Sequence, residues 1–148
     1  INFEFMGGDS GITIAANYNK TEVDSLGTVN PIGSGRVAAL EDLLPNIRGN
    51  VSWNHTQGEY RTLLRASYYG GWDDTGNGVT GIGAEVLIDV QVAYQFSDQL
   101  EFVAGVDNLL DTYPQENPGA LGSGQLYSES SPFGFNGGTW YLQARFTY

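Results

Sequence analysis

The residues able to do chemistry are few, and their spacing restricts them further. His55 is the only histidine, and there is no cysteine. Serine is common, but a Ser/His/Asp relay needs a histidine held between nucleophile and acid. His55 falls beside a tight turn, in the register of an apolar face, where an interfacial side chain is the simpler expectation than a base or a ligand. Without cysteine there is no thiolate, no disulfide framework and no cysteine-type zinc site. Glu101 and Asp107 share one face of a strand, yet strand rise separates them by about 20 Å, too far for paired acid–base work. Gly76 to Gly81, GNGVTG, has the dinucleotide-fingerprint spacing, but no helical pattern follows to present amides to a phosphate. It reads as a flexible loop. Asp73, Asp74 and Asn77 could offer oxygens to Ca²⁺, although their spacing is not that of an EF-hand and an acidic loop tip is ordinarily just solvated. The expectation is a chain with no catalytic centre, no cofactor and no metal.

The overall balance narrows the partners. Seventeen acids against six bases give a formal net charge of −11, which argues against nucleic acid, where Lys and Arg must displace counterions. It argues equally against a basic module on a membrane surface. No apolar run is long enough for a transmembrane helix. The sequence opens on Ile1 in mid-pattern, without an initiator Met or signal peptide, so it is expected to be cut from a longer polypeptide.

Binding chemistry is concentrated in long connections. Glu22, Asp24, Glu41, Asp42, Asp73, Asp74, Glu85, Asp111, Glu116 and Glu129 lie in or beside them. They could select a cationic or metal-bearing ligand, or simply be a solvated surface. Tyr113, Tyr127, Phe133 and Phe135 could stack on a sugar or aromatic ligand, or fold the loop onto itself. These four rings, with Asp73 and Asp74, are the ligand-facing candidates.

Strands must position these loops. A short helix is expected at Val37 to Leu44, ended by Pro45. Nearly everything else alternates with period two, the signal of a strand. Trp140, Leu142, Ala144, Phe146 and Tyr148 oppose Thr139, Tyr141, Gln143, Arg145 and Thr147. The same split recurs at residues 88–96, 100–107, 60–72, 47–54 and 12–19, and residues 1–6 add a stub with Ile1, Phe3 and Phe5 on one face. Connections alternate in length. Gly7 to Gly11, Thr56 to Glu59 and Ser97 to Gln99 are tight, whereas 21–45, 73–86 and 111–137 are long. Outer-membrane barrels keep this rhythm, with short periplasmic turns and long external loops. That would leave Tyr148 at the periplasmic side.

Face chemistry separates lipid from water. Arg48, Arg61, Arg65 and Arg145 all fall on the polar face of strands. Each would cost roughly 2–4 kcal/mol if turned to lipid near mid-bilayer, so they are expected to face a lumen. The apolar face carries Tyr18, Trp53, Tyr60, Trp72, Tyr94, Phe96, Trp140, Phe146 and Tyr148 towards strand ends, as interfacial girdles do. The expected fold is all-β, a transmembrane antiparallel β-barrel segment of about seven meander strands of a larger barrel. The alternative is an extracellular or periplasmic β-sandwich.

Two motifs carry a family resemblance. VAGVDNLLDTYP at Val103 to Pro114 is similar to a strand of TonB-dependent receptors that ends in an Asn-Leu-Phe-Asp-like motif, with Leu110 where Phe is common. Asn108 and Asp111 are the matching polar positions, expected to cap the exit from strand to loop. SPFGFNGGTWYLQARFTY at Ser131 to Tyr148 resembles that family's last loop and closing strand, and PNIRGNVSWNH at Pro45 to His55 is similar to an earlier strand. The match covers about half of the chain, residues 45 to 55 and 86 to 148. The resemblance implies a C-terminal sector of an outer-membrane receptor of a Gram-negative bacterium, importing an iron chelate, cobalamin or saccharide. It implies a closing strand, Trp140, Leu142, Phe146 and Tyr148, read by the outer-membrane assembly machinery. It implies as partners membrane lipid, the rest of the barrel with its plug (absent here) and the TonB energy-transducing complex. Two rivals stand beside it: a complete eight-stranded barrel with a structural or adhesion role, and a hydrolase barrel with a nucleophile and histidine on neighbouring strands.

Overall fold

Seven strands hydrogen-bond into one antiparallel sheet whose spatial order is their order along the chain. The structure is a computed structural model. It describes every residue except 27, 29, 30, 119–121 and 123, and not the side chain of Asn77. The sheet runs β1 (Asn2–Phe5), β2 (Gly8–Tyr18), β3 (Ile47–Gln57), β4 (Tyr60–Tyr69), β7 (Glu85–Ser97), β8 (Leu100–Asp107) and β9 (Thr139–Phe146). A separate hairpin, β5 (Trp72–Asp74) with β6 (Val79–Ile82), lies in the connection between β4 and β7. Strands β1 and β9 are the two edges of the large sheet.

Register converts alternation into two chemically opposed faces. Ile12, Trp53, Leu64, Val90, Val106 and Trp140 are cross-strand partners in one continuous row over six strands. One residue along, Thr13, Ser52, Arg65 and Asp89 form a polar row on the other side. A slip of one residue would invert both rows, so the pattern specifies the pairing. Every Asp, Glu and Arg of the seven strands, from Glu4 and Asp9 to Asp107 and Arg145, lies on the polar face. Most large apolar side chains of the opposite face are exposed, Trp140 at 74% and Leu142 at 73%, and others such as Trp53 and Val90 are half-buried. What is buried is sparse: Ala93 and Val103 on the polar face, between Arg61 and Gln143 in their row, and Trp72, Ile82 and Phe133 in the loops.

The short turns all fall at one end of the sheet, and the connections 19–46, 70–84 and 108–138 at the other. The first turn is tighter than expected. Met6 and Gly7 alone link β1 to β2, both with positive φ, 49° and 79°, the conformation of a two-residue hairpin turn. Gly8 begins β2 because a Cβ there would sit 2.3 Å from the Thr56 carbonyl of β3. The helix α1 spans Ser34–Asp42, one turn earlier than the apolar run suggests.

Two expectations need correction. Trp72 does not continue the apolar face of β4. The chain leaves the sheet after Tyr69, the Gly70 amide donates to the Ile47 carbonyl at 2.9 Å, and Trp72 is buried in the β5–β6 hairpin. Strand β9 ends at Phe146, so Tyr148 lies beyond it, fully exposed, although the Thr147 amide still reaches the Gln99 carbonyl at 2.9 Å.

Candidate functional site

The long connections gather where β8 ends, and a built turn starts the last of them. Asn108 and Asp111 both adopt left-handed φ, 54° and 55°, a region that Asn and Asp tolerate best among residues with a side chain. The Asn108 amide closes a ring with Thr112: Nδ2 donates to the Thr112 carbonyl at 2.7 Å, and Oδ1 accepts the Thr112 amide at 3.0 Å. Its own backbone N–H donates to Asp89 Oδ1 at 2.8 Å. Asp111 Oδ1 accepts the Gly138 amide at 2.7 Å, tying the loop's start to its return. The capping role read for Asn108 and Asp111 is what the geometry shows.

Above this turn stand three rings. Tyr113 and Tyr127 lie near-parallel with centroids 5.7 Å apart, and Tyr127 and Phe135 follow at 6.5 Å. Eclipsed rings in contact would be about 3.5–4 Å apart, so these rings do not eclipse one another at contact distance. Tyr113 and Phe135 are exposed. The Asp111 carboxylate beside Tyr113 pushes its phenol above the usual range, helped by desolvation and their hydrogen bond. Gly137, at φ 70°, is required here: a Cβ would lie 2.2 Å from the Tyr113 hydroxyl.

The other ligand-facing candidates are placed differently. Phe133 is 8% exposed and packs on Tyr69 at 5.2 Å, and the Arg48 guanidinium lies over the same Tyr69 ring, 5.8 Å from its centroid. Asp74 is 2% exposed and accepts a hydrogen bond from Asn117 Nδ2 at 3.1 Å. Both hold the loops together instead of facing outward. Asp73 Oδ1 accepts the Gly81 amide at 2.6 Å, within its own hairpin. The two carboxylates are therefore turned to different partners, and among the described residues no three His, Cys, Asp or Glu converge as metal ligands would. The Asn77 side chain lies outside the described residues. GNGVTG forms the β5–β6 connection, a short 3-10 turn at Thr75–Asn77 followed by strand. Of the acids around α1, Glu41 Oε1 accepts the Val23 amide at 2.9 Å, and Glu22 pairs with Lys20. That hydrogen bond raises the lysine and lowers the glutamate from their usual ranges.

On the polar face the arginines are paired. Arg61 and Arg145 both bond Glu101, at 2.7 and 3.2 Å, and Arg65 bonds Asp89 at 2.8 Å. Glu101 is thus occupied by two guanidinium groups. Arg48 instead lies over Tyr69.

A serine does stand beside the histidine on neighbouring strands, the pairing that the hydrolase-barrel rival requires. Ser10 Oγ and His55 Nδ1 are 2.9 Å apart on the paired strands β2 and β3. Register brings them together, and register is not visible in the spacing of two residues 45 apart. Ser10 is only 4% exposed, and the His55 ring stacks on Trp53 at 5.4 Å with Phe5 edge-on at 6.0 Å. Among the described residues no carboxylate bonds this ring, so the orienting third group of a relay is not found among them. Compared with protein-family models, curated proteins and solved structures, the chain matches none.

Proposed function

We propose that this chain is a wall sector of an outer-membrane transport barrel of the TonB-dependent receptor type, with the long connections facing outward and the charged face lining the lumen. One observation carries the reading: every Asp, Glu and Arg of the seven strands is on one face, while the other presents exposed Trp140, Leu142, Phe146, Val51 and Ile14. In water that apolar face would be a large aggregating surface. Against lipid it is solvated, and the charges it excludes are those lipid would penalise. The edges β1 and β9 carry unpaired backbone groups, which hydrocarbon does not tolerate, so the wall continues in further strands. The plug and the energy-transducing complex follow as partners from the resemblance of Asn108 to Asp111 and of β9 to that family.

The rival eight-stranded barrel would need another strand between β2 and β3; among the described residues that stretch holds α1. A catalytic role is not proposed, because Ser10 is buried and its hydroxyl is engaged with His55. The test is gel mobility of the native protein from isolated outer membranes. A large species that migrates anomalously until boiled supports the reading. A heat-shifting species of 16.0 kDa would favour the small barrel, and recovery in the aqueous fraction would sink both.

A further inference from the structure

We infer that the rings of Tyr113, Tyr127 and Phe135 are a recognition shelf for an uncharged saccharide. This rests on the reading of residues 108–138 as an outward-facing loop and names the class of ligand it meets. The shelf is built. Its arm is closed by the Glu116–Tyr127 bridge and the Asn117 amide on the Leu126 carbonyl at 2.9 Å, with Asn117 and Ser128 buried beneath. Asp111 and Gly137 fix the Tyr113 ring, so little ordering is left for a ligand to supply. Rings packed to bury themselves would turn their faces inward, as Phe133 does. These lie within 20–29° of parallel, with Tyr113 and Phe135 exposed and Tyr127 half-buried between them, which suits the apolar C–H faces of pyranose rings. Asp111 and Glu116 at the shelf's margin are acceptors for hydroxyl groups.

Charge separates this class from its competitors. Residues 108–138 contain Asp111, Glu116 and Glu129 and no Lys or Arg. In the connection 19–46 Lys20 is paired with Glu22, Arg36 is outnumbered by Glu22, Asp24, Glu41 and Asp42, and 70–84 adds Asp73 and Asp74. An anionic chelate or phosphorylated ligand would meet net repulsion. A neutral polyol meets ring faces and acceptors.

The experiment uses the full-length protein, purified from outer membranes in detergent. Titration calorimetry is run with maltohexaose, cellohexaose and xylohexaose, with solubilised lipopolysaccharide, and with an anionic ferric tris-catecholate. Saturable binding of an oligosaccharide is expected. Tyr113→Ala and Phe135→Ala should each weaken it about tenfold, the loss of a buried aromatic anchor, while Tyr113→Phe retains it. Binding of lipopolysaccharide alone, a phosphorylated glycolipid, would contradict the uncharged class and overturn the inference. Binding of none of the saccharides overturns the inference. So does saccharide binding that both truncations leave intact, or catecholate binding that they abolish. The Phe135 ring is half-exposed and has no hydrogen-bonding group of its own, so its truncation tests the shelf without dismantling the Asp111 turn. Heat-dependent gel mobility of each variant, read in parallel, reports the barrel itself; a folded barrel that ignores sugars defeats the shelf and not the membrane reading.

Discussion

Arg65 meets Asp89 across β4 and β7, with Nε and Nη2 both donating to Oδ2 at 2.8 Å. Their chain neighbours Leu64 and Val90 are partners in the same register but on the opposite face. The sheet thus changes from ion pair to hydrocarbon within one residue. In an aqueous sheet the Leu64 face would be covered and Arg65 would be merely solvated. Here Leu64 is exposed, and the arginine has a fixed carboxylate partner that is itself mostly covered.

The first prediction exchanges the faces. Leu64→Arg puts a charge near the middle of β4 on the apolar side and should cost roughly 2–4 kcal/mol of stability in a bilayer. Ser67→Arg, on the polar side, should be nearly neutral. Urea unfolding of the protein in lipid vesicles, followed by the heat-shifted band, measures the difference. Equal effects of the two substitutions would contradict a lipid-facing Leu64.

Asp89 serves two donors, so its loss should reach beyond the sheet. Besides Arg65, it accepts the Asn108 N–H at the start of the last loop. Asp89→Ala leaves that part-buried amide unsatisfied, a cost of about 1–3 kcal/mol. Limited proteolysis should cut residues 108–138 sooner than in the parent protein, with the strands still protected. Unchanged cleavage would mean that Asp89 does not anchor the loop.

Asn108 separates backbone conformation from side-chain bonding. Its φ of 54° favours glycine, and its amide bonds Thr112 twice. Asn108→Gly keeps the conformation and loses the bonds; Asn108→Ala loses both and should be worse by about 1 kcal/mol, the added strain of a left-handed backbone. Hydrogen exchange at Leu109, Asp111 and Thr112 ranks the variants. If alanine is no worse than glycine, the φ constraint is not real.

The pH response of the loop follows from Tyr113. Its phenol is raised above the value of 10.0 chiefly by the Asp111 charge. A group with a raised folded value supports the fold below its unfolded value and withdraws that support as pH rises through the folded one. The Tyr113–Asp111 contact should therefore hold at neutral pH and loosen only above pH ~10. Asp111→Asn should move one tyrosine's titration to lower pH in the difference absorbance near 295 nm, while Glu129→Gln should not. A titration identical in parent and Asp111→Asn would refute the coupling.

Much of this arrangement was legible before the structure, and the exceptions share a cause. Alternation along Trp140 to Phe146, and along Tyr60 to Tyr68, is a local property, so strands and faces could be read from it. The Asn108 cap is also local, since Thr112 lies four residues on, whereas the Asp111 carboxylate meets Gly138 across the whole loop. The Met6–Gly7 turn was hidden because Gly8 belongs to a strand only through its approach to Thr56, far along the chain. Trp72 kept the parity of β4, but the chain had already left the sheet at Gly70. Phe133 and Phe135 are chemically alike in sequence; only the position of Tyr69 decides that the first is buried and the second is not. Ser10 and His55 meet through strand pairing alone.

The central claim is that the apolar face contacts lipid and the charged face contacts water. Single cysteines at consecutive positions of β4 test it most directly, since this segment has no native cysteine. In native outer membranes, a water-soluble maleimide should label Arg65→Cys and Ser67→Cys. Leu64→Cys and Ala66→Cys should resist it and, once carrying a fluorophore, be quenched by nitroxide-bearing lipid. Labelling that rises and falls with the residue's parity supports the account. Equal aqueous labelling at all four positions, with no lipid quenching at Leu64→Cys or Ala66→Cys, would contradict it.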